Sequence, residues 1–318
     1  MTKPILVGHD PRRVDDAPVS FGATIARVTG APLVVAMVEA RSPVLPISEG
    51  QSLAYALVED ELMPDCAPAL EALEAELRAA GVAVECRPLP GVSAARALQE
   101  AAEEEDAGLL VIGSSRRSAP GRVLAGSTAE RLLHGAPCPI AVVPSEWTSE
   151  RPLATIGVAY AHGPEGDEAL RSAHALARRL GASLRVITVV KVTLGMYGET
   201  EPSVAGQTGK RLEDVEGEHK ARVEDELRRL VAGLDGDVPT DVDVFVGDPA
   251  DVLVELSPRL DLLVCGSRGY GPLRAVLLGS VSRRIVAEAH CPVIVLPRGV
   301  KASLEALVTA APGAAAPA

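Results

Sequence analysis

Between Gly266 and Ser282 the chain reads GSRGYGPLRAVLLGSVS. Glycines at 266, 269 and 279 let backbone approach a ligand closely, because no Cβ intervenes. Gly279-Ser280-Val281-Ser282 then opens a segment of helical character, with unpaired N–H groups and the positive end of a helix dipole beside the glycine turn. Four arginines (Arg268, Arg274, Arg283, Arg284) and no acid lie between Ser267 and Ala287, in a chain of net charge −12. Residues of these types at this spacing suit a phosphate-type anion.

Other chemistries find less support. Gly206-Gln207-Thr208-Gly209-Lys210 looks like a phosphate-binding P-loop, but Val204 stands at the required first glycine and Arg211 at the Ser/Thr position. Gly269-Tyr270-Gly271 lacks a third glycine at dinucleotide spacing. His9, His134, His162, His174, His219 and His290 are dispersed, without metal-ligand spacing to the cysteines. His9 and Asp10 adjoin at a strand end, where neighbours point to opposite faces. No Gly-x-Ser-x-Gly elbow is present, and no set of residues reads as catalytic.

Strands alternating with helices must position the glycine turn. Short apolar runs at Pro4–Gly8, Leu33–Val38, Val82–Cys86, Leu109–Gly113 and Ile140–Val143 alternate with helical patterns at Asp16–Thr29, Asp65–Ala80 and Ser93–Glu105. Such alternation predicts a doubly wound parallel sheet with helices on both faces, and ligands in such sheets bind beyond the carboxyl ends of the strands. The order then recurs. Residues 107–144 repeat 260–297 at an offset of 153, and Pro4–Asp10 matches Thr155–Ala161 at an offset of 151. Two α/β domains follow, at 1–146 and 152–299, in agreement with the 318-residue length. Each has five strands. Residues 41–52 and 193–208 read as excursion loops, and Leu212–Val231 as a highly charged helix. Residues 300–318 are expected to be a disordered tail, with a short helix at Leu304–Thr309 before APGAAAPA. Trp147, in the polar connector, is expected to pack against a domain.

The spacing G-x2-G-x9-G-S resembles the nucleotide-binding signature of the universal stress protein family at every fixed position, and the repeat extends the resemblance over nearly the whole chain. It implies an adenine nucleotide alpha hydrolase-like fold and an adenine nucleotide, ATP or another, with or without Mg2+. By this resemblance Gly266, Gly269, Gly279, Ser280 and Ser282 hold the phosphates, with Val281 helping through its backbone. Arg268 adds charge by its position in the turn. The first copy keeps Gly113, Gly126 and Ser127 but has Arg116 at the second glycine and Ala129 where Ser282 stands. Arg116 either blocks the turn or grips phosphate itself. The family's nucleoside-contacting aspartate is matched by Asp10 in the first copy, but Ala161 replaces it in the second. Val38 and Val189 match the position packed near adenine, and plain core valine fits both equally. The resemblance also implies that the fifth strands of the two halves associate, giving an internal pseudo-dimer, with a homodimer as a further option.

Composition bounds the rest. The chain is 47% hydrophobic and only 2% aromatic, a globular balance without the basic stripe or stacking platforms of a nucleic-acid binder. No apolar run approaches a membrane span, and MTKPILVGHD lacks the core of a signal peptide. Cys66, Cys86, Cys138, Cys265 and Cys291 read as small hydrophobes in a reducing, cytoplasmic compartment. The expected role is regulatory, through bound nucleotide and an unidentified protein partner. A slow ATP hydrolase and a nucleotide-free interaction protein are the alternatives.

Overall fold

The structure, a computed structural model, describes residues 2–10, 16–40, 67–114, 127–145, 147–150, 152–190, 212–267, 279–298 and 304–309. In the first half these form β1 (Ile5–His9), α1 (Ala17–Thr29), β2 (Leu33–Ala40), α2 (Ala67–Ala79), β3 (Val84–Gly91), α3 (Ala94–Glu104), β4 (Leu109–Gly113), α4 (Ser127–Leu133) and β5 (Ile140–Val143). The second half repeats the order: β6 (Thr155–Ala159), α5 (Pro164–Leu180), β7 (Ser183–Val190), α6 (Leu212–Ala232), β8 (Thr240–Val246), α7 (Pro249–Leu256), β9 (Leu262–Gly266), α8 (Ser280–Glu288) and β10 (Val293–Leu296). A last helix, α9, spans Leu304–Thr309. The two expected excursions and the APGAAAPA tail lie outside the described residues.

Local signals explain the boundaries. α1 and α5 both stop at glycines in the left-handed conformation, Gly30 at φ 69° and Gly181 at φ 65°. α7 starts where Asp248 accepts hydrogen bonds from the backbone N–H of Ala250 (3.0 Å) and Asp251 (3.4 Å), with Pro249 in the first turn. β3 runs on past Cys86, where the apolar run suggests an end, and continues through Pro88 and Pro90. It is an edge strand, so prolines that cannot donate to a ladder are tolerated there.

Strands of this sheet are buried on both faces, and their side chains divide by alternation. Ile5 and Val7 face one core while Leu6 faces the other; Leu262 and Val264 part in the same way from Leu263 and Cys265. α1, α2, α5, α6 and α9 cover the first face, and α3, α4, α7 and α8 cover the second. Gly22 lets α1 settle onto β1, since a Cβ there would lie 2.5 Å from Val7 Cγ2.

The strand order is β3-β2-β1-β4-β5-β10-β9-β6-β7-β8. Each half is an all-parallel five-stranded sheet. The halves join where β5 and β10 pair antiparallel, Val142 with Val293, Ala141 with Ile294 and Ile140 with Val295. The internal pseudo-dimer is therefore a single ten-stranded sheet, and both core layers run unbroken across the junction. Trp147 stands edge-on to Phe21 with ring centroids 5.2 Å apart, tying the connector to the first half. α9 is the short helix expected at Leu304–Thr309, and it is packed against the protein rather than part of a loose tail. Leu304, Leu307 and Val308 are buried, and Arg179 of α5 donates to the Val308 carbonyl at 3.1 Å.

Candidate nucleotide site

In the second half, the ends of β6, β7 and β9 and the start of α8 open into a cavity of about 1000 Å³. Six residues expected to hold a nucleotide line it together: Val189, Gly266, Gly279, Ser280, Val281 and Ser282. Arg268 and Gly269 lie outside the described residues.

The turn that frames the cavity is closed at its neck, for Gly279 N–H donates to the Ser267 carbonyl at 2.7 Å. Ser267 is buried, its N–H donating to the Leu296 carbonyl (2.8 Å) and its Oγ accepting from the Arg298 N–H (3.1 Å). Ser114 of the first half is held in the same way, by the Val143 carbonyl (2.8 Å) and the Ser145 N–H (3.1 Å). Gly279 is the N-cap of α8, and Ser280, Val281 and Ser282 form its first turn. In an α-helix the N–H groups of that turn have no acceptor within the helix and project toward its N-terminus, here toward the cavity.

Ser282 lines the cavity, but its hydroxyl is bonded into the turn. Its hydroxyl lies 2.7 Å from the Gly266 carbonyl and 3.3 Å from that of Ser267, so its one proton is committed to the turn. Ala129, its counterpart in the first half, is buried and can supply no such clamp. The arginine cluster read from sequence also divides. Arg284 pairs with Glu288 one turn on in the same helix (3.2 Å) and with Asp248 (3.8 Å) and Asp251 (2.5 Å), two acids that reach it only through folding. An acid comes to the turn as well: a Cβ on Gly266 would meet Glu165 Cβ at 3.6 Å, and Glu165 pairs with Arg298 at 2.7 Å.

The strand-end position that carries Asp10 in the first half is Ala161 here. The backbone there is tight against α5, for a Cβ on Gly166 would fall 1.7 Å from the Ala161 carbonyl oxygen. Beside it, Tyr160 donates to Asp167 Oδ1 at 3.0 Å, and burial, with Asp167 adding to it, pushes the phenol pKa far up. Cys265 lines the cavity, and burial raises its thiol to about 12, so it remains protonated at neutral pH. α6 contributes His219, Val223, Glu226, Leu227 and Leu230 to the walls. Nothing local in the sequence shows that these residues face the glycine turn, since they lie on a charged helix more than thirty residues upstream of it.

In the first half, Asp10 follows β1, Val38 lies in β2, Gly113 ends β4 and Ser127 begins the seven-residue α4. Gly126 and Arg116 lie outside the described residues. Among the described residues no trio of His, Cys, Asp or Glu is grouped to hold a metal, and no helix is long and apolar enough to cross a membrane.

A tandem pair of doubly wound domains, fused through their fifth strands and open at the strand carboxyl ends, defines a class of two-domain α/β proteins. The sequence profile of the universal stress protein family matches this chain twice, at residues 1–144 and 153–297, and the chain belongs to that family. Similar relatives include a universal stress protein of Mycobacterium tuberculosis, 29% identical over 303 residues, covering 92% of this chain and 99% of that one. A second from the same organism is 30% identical over 315 residues, covering 93% and 99%. Among solved structures, a universal stress protein of Pseudomonas aeruginosa shares the fold with a TM-score of 0.67 at 20% identity, covering 96% of this chain and 98% of its own. One from Archaeoglobus fulgidus does so with a TM-score of 0.64 at 19% identity, covering 94% and 100%.

Proposed function

We propose that the second half of this tandem universal stress protein binds an adenine nucleotide, ATP above all, and that the bound nucleotide serves a regulatory, cytoplasmic role. The carrying observation is the convergence of Gly266, Gly279 and the first turn of α8 on one cavity at the strand carboxyl ends. Backbone N–H groups at a helix start, reached through glycines, are suited to phosphate and cost no reorganisation when it arrives. Gly266, Gly279, Ser280 and Val281 then hold the phosphates, with Arg268 and Gly269 in the same turn. Ser282 fixes the turn from behind. Val189 offers an apolar surface to the base. Mg2+, if it accompanies ATP, is held chiefly by the phosphates, since Glu165 beside the turn is already paired with Arg298. In the first half, Asp10, Val38, Gly113, Gly126 and Ser127 form the weaker site.

A bound nucleotide biases the protein by whatever difference in affinity it has for two conformations or partners. The proposal is one of binding, and hydrolysis is not part of it. Phosphate release from ATP distinguishes the hydrolase alternative. The main test is titration of ATP, AMP and GTP into the full chain. With Ala161 at the nucleoside end, affinity is expected to follow phosphate number, ATP binding better than AMP and little better than GTP. Absence of binding by all three would overturn the proposal.

A further inference from the structure

The cavity is larger than a phosphate turn requires, and its walls come from both faces of the sheet. Ile187, Leu253, Cys265 and Ile285 belong to the core layer under α7 and α8, whereas Tyr160, Val190, Val223 and Leu227 belong to the layer under α6. The space therefore passes over the ends of β6 and β7, from the glycine turn on one face to α6 on the other. His219, Val223, Glu226 and Leu230 fall at three- to four-residue spacing, one face of α6, and all of them line it. The apolar members make a box with Tyr160 and Val190. The polar members stand at its rim: His219 and Glu226 are exposed, and among the described residues neither has a hydrogen bond or ion pair.

We propose that this α6 lobe is the nucleoside end of the site, with Glu226 accepting the ribose hydroxyls in place of the aspartate missing at Ala161. The inference rests on nucleotide binding by the second half. A carboxylate is the acceptor that a ribose diol selects, as at other nucleotide sites where an acid on a neighbouring element takes the 2′-hydroxyl. Glu226 is near enough to Tyr160, the residue before Ala161, for its charge to help raise the phenol pKa. Val223, Leu227 and Leu230 give this wall of the cavity apolar side chains for a base to lie against. The phosphates then remain at α8 while the nucleoside crosses the strand ends. Recognition of the sugar passes from strand to helix.

The test titrates ATP, 2′,3′-dideoxy-ATP and inorganic triphosphate into the full chain and its Glu226→Gln and Glu226→Ala variants. Glu226 is exposed on a helix surface, so both variants are expected to fold, and thermal unfolding checks this. Loss of a hydrogen bond to a charged group should weaken ATP about tenfold. Binding of dideoxy-ATP and triphosphate should be unchanged by either substitution. Equal ATP affinity in parent and variants would overturn the nucleoside assignment while leaving the phosphate site intact. Loss of triphosphate affinity along with ATP would assign Glu226 a structural role and overturn the proposal too. Failure of the parent chain to bind ATP at all is a separate outcome, and it removes the reading on which this one rests.

Discussion

Gly279 has φ −64° and ψ 156°, extended backbone that any residue adopts. The turn itself does not require a glycine there, whereas the proposed phosphate contact does. An aspartate there would cap α8, its carboxylate accepting from the first-turn N–H groups that a phosphate would otherwise use. Gly279→Asp should keep the thermal midpoint or raise it slightly. A midpoint lowered by many degrees would show that the glycine is needed for folding. Ser282 invites the opposite expectation. Its hydroxyl clamps Gly266, so Ser282→Ala should cost about 1 kcal/mol in denaturant unfolding while the preference for ATP over AMP persists. Unchanged stability with that preference lost would return the hydroxyl to the ligand. At this scale the helix start at Gly279-Ser280 was legible because a helix start is a local signal. The fates of Ser282 and Arg284 were not, since the Gly266 carbonyl and the Asp248 and Asp251 carboxylates reach them only through folding.

Single elements carry their own consequences. His174 is buried in α5, and its pKa is lowered from the ordinary 6.5 by burial first and then by Arg178, with Asp235 opposing. The unfolded chain therefore takes up this proton at higher pH than the folded one. Stability should fall as pH drops below about 6.5, until the folded histidine also protonates. His174→Gln should flatten that limb of the stability–pH curve, and an unaltered limb would contradict the assignment. α9 is the second case. Leu307 lies close enough that a Cβ on Gly108, the residue before β4, would meet its Cδ1 at 2.7 Å, while Arg179 of the other half bonds Val308. The helix straps the two halves together at the end opposite the cavity. Ending the chain after residue 303 removes three buried aliphatic side chains, each worth roughly 1.5–3 kcal/mol of burial. The denaturation midpoint should drop clearly, and an unchanged midpoint would show α9 to be idle. Element types and order were readable from periodicity, glycine stops and the internal repeat. The length of β3 was not, because prolines argue against a strand until its edge position is known. The contribution of α6 to the cavity was hidden for a similar reason: His219 and Glu226 look like any solvated helix face.

In the whole molecule, a sheet of ten strands is built from two copies of one plan, and the copies have diverged in complementary ways. The first has Asp10 where the second has Ala161, while the second has Gly269 where the first has Arg116. The fifth-strand junction binds them into one body through three paired residues on each strand and two continuous cores. Residues 1–147 expressed alone would leave the β5 edge open, and such edges seek partners. That fragment should self-associate, most simply by pairing β5 with its own copy. Strictly monomeric behaviour at high concentration in sedimentation experiments would argue that the junction is not what holds the halves together.

The most direct measurement for the account as a whole is calorimetric titration of ATP into the intact chain, beside Gly279→Asp. Strong binding at one site per chain is predicted for the parent, with that site abolished in a variant whose fold is unchanged. Two equivalent sites, or ATP affinity equal in variant and parent, would contradict the assignment of the nucleotide to the glycine turn and α8 of the second half.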